Sequence, residues 1–520
     1  MNKIEKKMKK RIDNNLNKLV KNPYIKPKKS FPLWGKILIP LGSSLAAATA
    51  CLAIILPFAL KVNGASMKDG QQDAGYSGEG QLAPTSDKDA ATYEGVESLP
   101  AFKYLTSLRT PTIYKQNQSD SKYYDGEYTS FKRKMNVFSQ KMTEYFIDSK
   151  YQNGTNIAFS PLSIELCLGL AVRASGGNTR TQLLNAFDVD YSTFNRFYKN
   201  YFEDVYTESF NDSGEETLIS RLVNSIWINN DVPLLDEGLD ALRDDYYSYS
   251  YYADFSGHNE ETNKEMSDFV SRSTDGFIAP SFDFDRTTLF VLMNTVYWCD
   301  FWNRSGDDLV EADSAYKFTN SDDTVSEKKL YESNETTGRV LKQEKYNSFY
   351  SFTKGGFKLY FVKPNEGYSA SDVLNNDDIA YFTNSNNYTF QDDLKLERYH
   401  TKCVFPEFNA DFDGTVTEIL VNKFNISDLF SYACDLSNLI DESKAVINAK
   451  ADEVKHIARI EVTKKGIKAA AVTTIDVPGA SAPDDYTDIH EKFIIDTEFG
   501  FVLSYKDAIL FSGIISNIDK

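Results

Sequence analysis

Between Glu461 and Phe493 the chain reads EVTKKGIKAAAVTTIDVPGASAPDDYTDIHEKF. A β-type run, Ala458 to Thr463, meets Gly466 and then a train of small residues. About twenty residues follow with no apolar anchor until Phe493. Loops of that length inside a compact domain are uncommon and are usually functional or disordered. Read at strand periodicity from Gly466, one face is Ile467, Ala469, Ala471, Thr473 and Ile475; the other is Lys468, Ala470, Val472, Thr474 and Asp476. One face is small or apolar, and the other carries both charges. Such a segment can be a loop and can also become a buried strand.

Other segments give this loop a setting. Asn156-Ile-Ala-Phe-Ser160-Pro161-Leu-Ser163-Ile enters a helix, and Gly176-Gly-Asn-Thr-Arg-Thr-Gln182 follows it. Then come Asn224-Ser-Ile-Trp227, Phe269-Val270 with Thr274-Asp-Gly276-Phe-Ile278, and Leu292-Met-Asn294-Thr-Val-Tyr297 with Trp302. Phe405-Pro406-Glu-Phe408 and Phe511-Ser-Gly513-Ile complete the set. Lys464-Lys465-Gly466-Ile467-Lys468-Ala469-Ala470-Ala471-Val472-Thr473 resembles the serpin hinge E-E/K-G-T-E-A-A-A-x-T, and the others resemble serpin signatures in serpin order. Each alone is weak; eight in collinear order over roughly Phe131 to Asn517 are strong. The resemblance implies an α+β serpin fold: three β-sheets, surrounding helices and an exposed reactive-centre loop.

The chain has 520 residues and a formal charge of −18, unevenly placed. The first thirty residues hold eleven Lys/Arg against two acids, so the rest is more acidic than the total suggests. An acidic body argues against nucleic acid, which needs cationic faces to neutralise phosphate. Ile37 to Leu60 is 24 residues without a charge. As a helix it would reach about 36 Å, enough to cross a hydrocarbon core of about 30 Å. Lys26, Lys28, Lys29 and Lys36 precede it and Lys61 is nearly alone beyond it. The expectation is a cytoplasmic tail (1–36), a transmembrane helix (37–60), a flexible extracellular stalk (61–128), whose more apolar part within Leu99 to Tyr114 is open to packing on the domain, and a serpin domain (129–520) on the outer side of a bacterial cell membrane. A cleaved signal peptide and a lipoprotein site at Ala48-Thr49-Ala50-Cys51 are the competing readings.

Chemistry beyond the loop is sparse. Cys167, Cys299, Cys403 and Cys434 are far apart, and the four histidines show no ligand spacing, so neither disulfides nor a metal nor any cofactor is expected. There is no P-loop, no G-x-S-x-G and no dinucleotide fingerprint. An enzyme is not expected, and a monomer is. Phe131 to Phe146 and Glu260 to Ser273 have helical patterning, and Ser160-Pro161 caps and starts another helix. Leu289 to Val296, Lys358 to Val362, Ile457 to Val462, Phe493 to Ile495 and Ala508 to Ile515 read as strands.

The resemblance also implies a mechanism. A serine protease cuts the loop and forms an acyl-enzyme through its own nucleophile. The freed arm inserts into the main sheet, and the protease is distorted before it can deacylate. Ala469, Ala470 and Ala471 suit fast insertion, because small side chains avoid pushing close-packed strands apart. Ile467 stands where Thr or Ser is usual, and its branched Cβ makes the first insertion step bulkier; Lys464 replaces an acid, and Lys468 should point outward. Counting from Gly466 places the scissile bond between Ala480 and Ser481, with Val477 and Ala482 as alternatives in register. Small residues there suit proteases with shallow first pockets, elastase-like or subtilisin-like. Asn156, Ser160, Ser163, Asn294 and His456 should lie at the shutter, where the central strands part, and Trp302 at the breach above the hinge. A suicide inhibitor is the leading reading; a non-inhibitory serpin acting as a surface binding or adhesion module, cut without trapping a protease, is the alternative.

Overall fold

Apolar spacing and local capping decide where the helices form. The chain runs β1 (Leu105–Arg109), α1 (Gly126–Lys150), β2 (Ile157–Phe159), α2 (Pro161–Ala174), α3 (Gly177–Phe187), α4 (Tyr191–Val205), β3 (Thr207–Phe210) and β4 (Glu216–Asn229). Next come α5 (Asp236–Tyr246), β5 (Ser248–Ala253), α6 (Phe255–Ser273), β6 (Phe290–Phe301), β7 (Val310–Glu311), β8 (Leu330–Glu332), β9 (Thr336–Thr337) and β10 (Leu341–Lys342). Then follow β11 (Tyr346–Phe352), β12 (Lys358–Pro364), α7 (Asn376–Phe382), β13 (Gln391–Asp392), β14 (Glu397–Pro406), β15 (Phe408–Thr415) and α8 (Thr417–Phe424). The last strands are β16 (Lys455–Val462), β17 (Gly466–Ile467), β18 (Thr487–Ile494), β19 (Phe499–Tyr505) and β20 (Ala508–Ile515). This computed structural model describes residues 102–112, 126–210, 216–302, 309–389, 391–392, 395–444, 450–467 and 486–520.

α1 buries Met135, Phe138, Met142 and Phe146 along one stripe, as their spacing predicts. α2 has Ser160 as its N-cap, with the Ser163 N–H donating to the Ser160 hydroxyl at 3.2 Å and Pro161 in the first turn. Every residue of α2 except Arg173 is buried, so it is a core helix rather than a surface one.

Three sheets hold the described strands. The largest runs β1-β5-β4-β6-β17-β16-β15, with β3 also on β4. The second runs β10-β11-β12-β19-β20-β2, and the third is built on β14 with β13, β8, β7, β9 and β18. The first two sheets pack face to face, with Trp298 of β6 at 6.1 Å from Phe511 of β20. All of β20 is buried, consistent with a run that is apolar but for Ser512.

One expected boundary is corrected. Residues 102–112, assigned to the stalk, belong to the domain: β1 adds to the outer edge of the large sheet, antiparallel to β5. Leu105 is buried, the Phe102 and Tyr251 rings are 6.4 Å apart, and Arg109 reaches Asp236 and Asp240 on α5, each at 2.7 Å. Docked apolar residues and a free sheet edge outweigh the loop-like composition around them. Among the described residues no helix is long and apolar enough to cross a membrane; the run 37–60 lies outside them. The four cysteines of the domain are free, three buried and Cys434 half-buried.

Candidate functional site

β16 ends at Val462, and the chain reverses through Thr463 to Gly466. The Thr463 N–H donates to the Gly466 carbonyl at 2.8 Å, and the Gly466 N–H returns to Thr463 at 3.3 Å. The reversed chain re-enters the large sheet as β17, with Gly466 opposite Phe301, and with Ile467 opposite Asp300 on one side and Val462 on the other. A Cβ at 466 would stand 2.2 Å from the Asp300 carbonyl oxygen, so only glycine lets the strands approach this closely. Ile467 is 1% exposed. Ile467 is seated between β6 and β16, a burial that its apolar side chain allows. Lys468, Ala469, Ala470, Ala471, Ala480 and Ser481 lie outside the described residues.

The turn is held from three sides. Trp302, expected above the hinge, is 2% exposed and donates its indole N–H to the Thr463 carbonyl at 2.8 Å. The Trp302 and Leu309 N–H groups donate to the Lys465 and Lys464 carbonyls at 3.3 and 2.7 Å. Glu407, which the sequence did not single out, accepts from the Lys464 N–H at 2.8 Å. Beneath Ile467 is a cleft lined by Trp298, Ile460 and Phe511, with a cavity of about 10 Å³, room for about one water. Beyond Ile467 no ladder joins β6 to β16 among the described residues. Below Ile467 the two strands lie side by side around this small cleft without a hydrogen-bonded ladder.

The shutter residues divide into two groups. Ser160 donates its N–H to Nε2 of His456 at 3.1 Å, and Ser163 donates its hydroxyl to the Asn294 carbonyl at 3.1 Å, so α2 is tied to both β16 and β6. Asn294 donates through Nδ2 to Oδ1 of Asn224 at 2.9 Å; its own Oδ1 is buried without a partner. Asn224 donates onward to the Tyr198 hydroxyl and the Tyr246 carbonyl at 3.1 and 2.7 Å. Asn156 stands apart from the other four. Its side chain takes the N–H groups of Ser516 and Asn517 at 3.0 Å each and donates to the Asn409 and Asn517 carbonyls, pinning β15 to the C-terminal segment. Asn224 was visible as part of a motif; Tyr198 carried no signal beyond its α4 spacing. His456 is buried, and burial pulls its pKa down to about 3. The ring is neutral, and because Nε2 accepts, Nδ1 carries the proton.

On the far side of the loop, β18 pairs in parallel with β14 from Thr487 to Ile494. Arg398 meets Asp488 at 2.7 Å, His490 meets Glu335 at 2.8 Å, and the His400 and His490 rings stack 5.4 Å apart. Ile489-His490-Glu491-Lys492, which departs from the serpin pattern, is thus anchored by its ladder, by the His490–Glu335 contact and by an ion pair of Lys492 with Glu332. Ile518, at a position where serpins usually carry proline, is buried.

Comparison with known proteins identifies the family. The family model Serpin (serine protease inhibitor) matches residues 133–518. The chain belongs to the serpin family. It is similar to Serpin-ZX of Arabidopsis thaliana, 23% identical, covering 73% of this chain and 96% of that one. It is also similar to Serpin B3 of Homo sapiens, 25% identical, covering 74% and 100%. Among solved serpins, the thermophilic Tengpin in its native state superposes with a TM-score of 0.61 at 18% identity, covering 80% of this chain and all of that one. Human thyroxine-binding globulin complexed with its ligand superposes at 0.60 and 17%, covering 76% and 100%. At these identities the structural likeness speaks for the fold alone.

Proposed function

We propose that this serpin is an irreversible suicide-substrate inhibitor of serine proteases with a preference for small residues at the cut bond, Ala480–Ser481. The observation that carries the reading is that Gly466 and Ile467 already occupy the sheet between β6 and β16, which share no ladder beneath them. A loop cut beyond Ala471 would need only to continue a strand already begun, with Ala469 and Ala471 entering past Trp298 and Ile460. The charge-free run 37–60 supports display on the outer side of a cell membrane. Ile467 and Lys464, which depart from the hinge pattern, keep a second reading, a non-inhibitory serpin acting as a surface binding or adhesion module that is cut without trapping.

The test is to mix the full-length chain in detergent with subtilisin and with pancreatic elastase. A band of summed mass that survives boiling in detergent, with protease activity lost, supports inhibition. Clean cleavage near Ala480 with an active protease supports the binding reading. Pelleting with carbonate-washed membranes, lost when 37–60 is deleted, tests the anchor.

A further inference from the structure

The cleft beneath Ile467 is lined from both sides of the large sheet. Successive residues of a strand face opposite sides. On β6, Trp298 meets Phe511 of the second sheet, and Tyr297 meets Phe277, in the turn that follows α6. That turn is closely tied. The Phe277 N–H donates to the Thr274 carbonyl at 2.9 Å, and the Thr274 hydroxyl accepts from the Ile278 N–H at 3.0 Å. Arg221 of β4 fastens the turn to the sheet, donating to the Ser273 carbonyl at 3.3 Å and to Asp275 at 3.1 Å. The Phe277 ring lies 6.2 Å from the Tyr297 ring. From the other wall the Arg459 guanidinium, on β16, stands 4.9 Å from the same ring, within cation–π range. Phe277 is thus held by both strands that an entering arm would have to separate.

The β17 register says which residue of the arm would meet this ring. Ile467 pairs with Asp300 on β6 and with Val462 on β16. One step along each antiparallel ladder per residue puts Ala469 between Trp298 and Ile460, and Ala470 between Tyr297 and Arg459. Side chains alternate between faces, so Ala469 would turn toward Phe511 and Ala470 toward Phe277. Tyr297 and Arg459 both touch the Phe277 ring, so the ring covers the place that Ala470 would take. A methyl group is a small demand there, and a longer side chain would strike the ring.

We propose that Phe277, latched by Arg459, roofs the slot on the side away from the second sheet and admits a small side chain alone at position 470. The occupant is this chain's own arm, residues 468–480. The inference rests on the insertion reading above and adds a size limit on the face of the arm that the reading leaves unrestricted.

The test exchanges volume between positions 470 and 277 in the full-length chain, with pancreatic elastase as the protease. Ala470→Leu should leave the rate of loop cleavage unchanged. It should lower the ratio of trapped to released elastase by roughly tenfold, as overpacking a fixed site would, and shrink the rise in melting temperature that cleavage brings. Phe277→Ala should restore both quantities in the Ala470→Leu background. Arg459→Gln, which unlatches the ring without deleting it, should restore them in part, and it carries the test if Phe277→Ala does not fold. Wild-type behaviour in Ala470→Leu, or a loss that neither second substitution relieves, would overturn the proposal. A wild-type chain that gains no stability on cleavage overturns the insertion reading, and the roof with it. A chain that gains stability yet traps no elastase overturns inhibition alone, and the melting temperatures still decide the roof.

Discussion

The backbone N–H of Ser160 donates to Nε2 of His456 at 3.1 Å, so the first turn of α2 is held by a strand of the large sheet through an atom that accepts only while the ring is neutral. On the same helix, Ser163 grips β6. One helix terminus thus bridges β16 and β6.

Protonating His456 should therefore loosen the tie between α2 and β16. Its folded pKa is depressed to about 3, below the ordinary 6.5, so its stability contribution is present above pH 6.5 and is lost as pH falls from there toward 3. Urea melts between pH 4 and 7 should show a falling midpoint on acidification. His456→Gln, which can accept a bond without titrating, should flatten that part of the curve. An equally steep curve in the variant would assign the loss to other groups.

Continuing the β17 register places one residue of the loop against both walls of the slot. Ile467 faces Asp300 and Val462; six residues further along each strand, Thr473 would face Asn294 and His456. The buried Oδ1 of Asn294 lacks a donor, and an inserted Thr473 hydroxyl could supply one. Thr473→Val keeps the shape and removes the donor. The cleaved variant is expected to lose about 1–3 kcal/mol of the stability gained on insertion, while the cleavage rate stays unchanged. Calorimetry of the cleaved forms checks this.

Gly466→Ala should push the hinge out of the sheet, since its Cβ would meet backbone rather than a flexible side chain. Overpacking of this kind typically costs about 1–3 kcal/mol. Faster exchange in peptides containing Gly466 and Ile467, with the remainder of β16 unaffected, is the expected signature.

Glu165 makes the opposite pH prediction to His456. Buried in α2, it accepts from the Ser139 hydroxyl at 2.5 Å and from Tyr201 at 2.7 Å, yet burial raises its pKa from 4.5 to about 8. Stability held in the neutral carboxyl is present below pH 4.5 and is lost as pH rises through about 8. Glu165→Gln should melt higher than wild type at pH 9 and differ little at pH 5. Thermal melts at the two pH values separate the cases.

Local rules made much of this molecule legible. Ala508 to Ile515 reads as a strand from its apolar run, and β20 has those bounds; Ser160-Pro161 fixes the start of α2; Gly466 marks the hinge. What stayed hidden depends on distant neighbours. β1 has spacer-like surroundings and becomes a strand because β5 offers a free edge. The seating of Ile467 depends on where β6 and β16 stand, which no pattern around residue 467 reports. Asp300 falls within a strand run and gives no sign of burial until the β11–β12 turn closes over it. The resemblance named Ser160, Ser163, Asn294 and His456 together, but not the separate attachment of Asn156.

The stretch beneath Ile467 where β6 and β16 share no ladder places an unusual demand on the side chains that line it. Trp298 and Ile460 must pack against each other's surroundings while the cleft is empty, and must also fit the flanks of Ala469 if the strand lengthens. A larger residue at either position could close the gap well and leave nowhere for a strand to go. These positions are therefore filled for two folded arrangements at once, so a substitution that tightens the packing seen here can be a loss to the molecule.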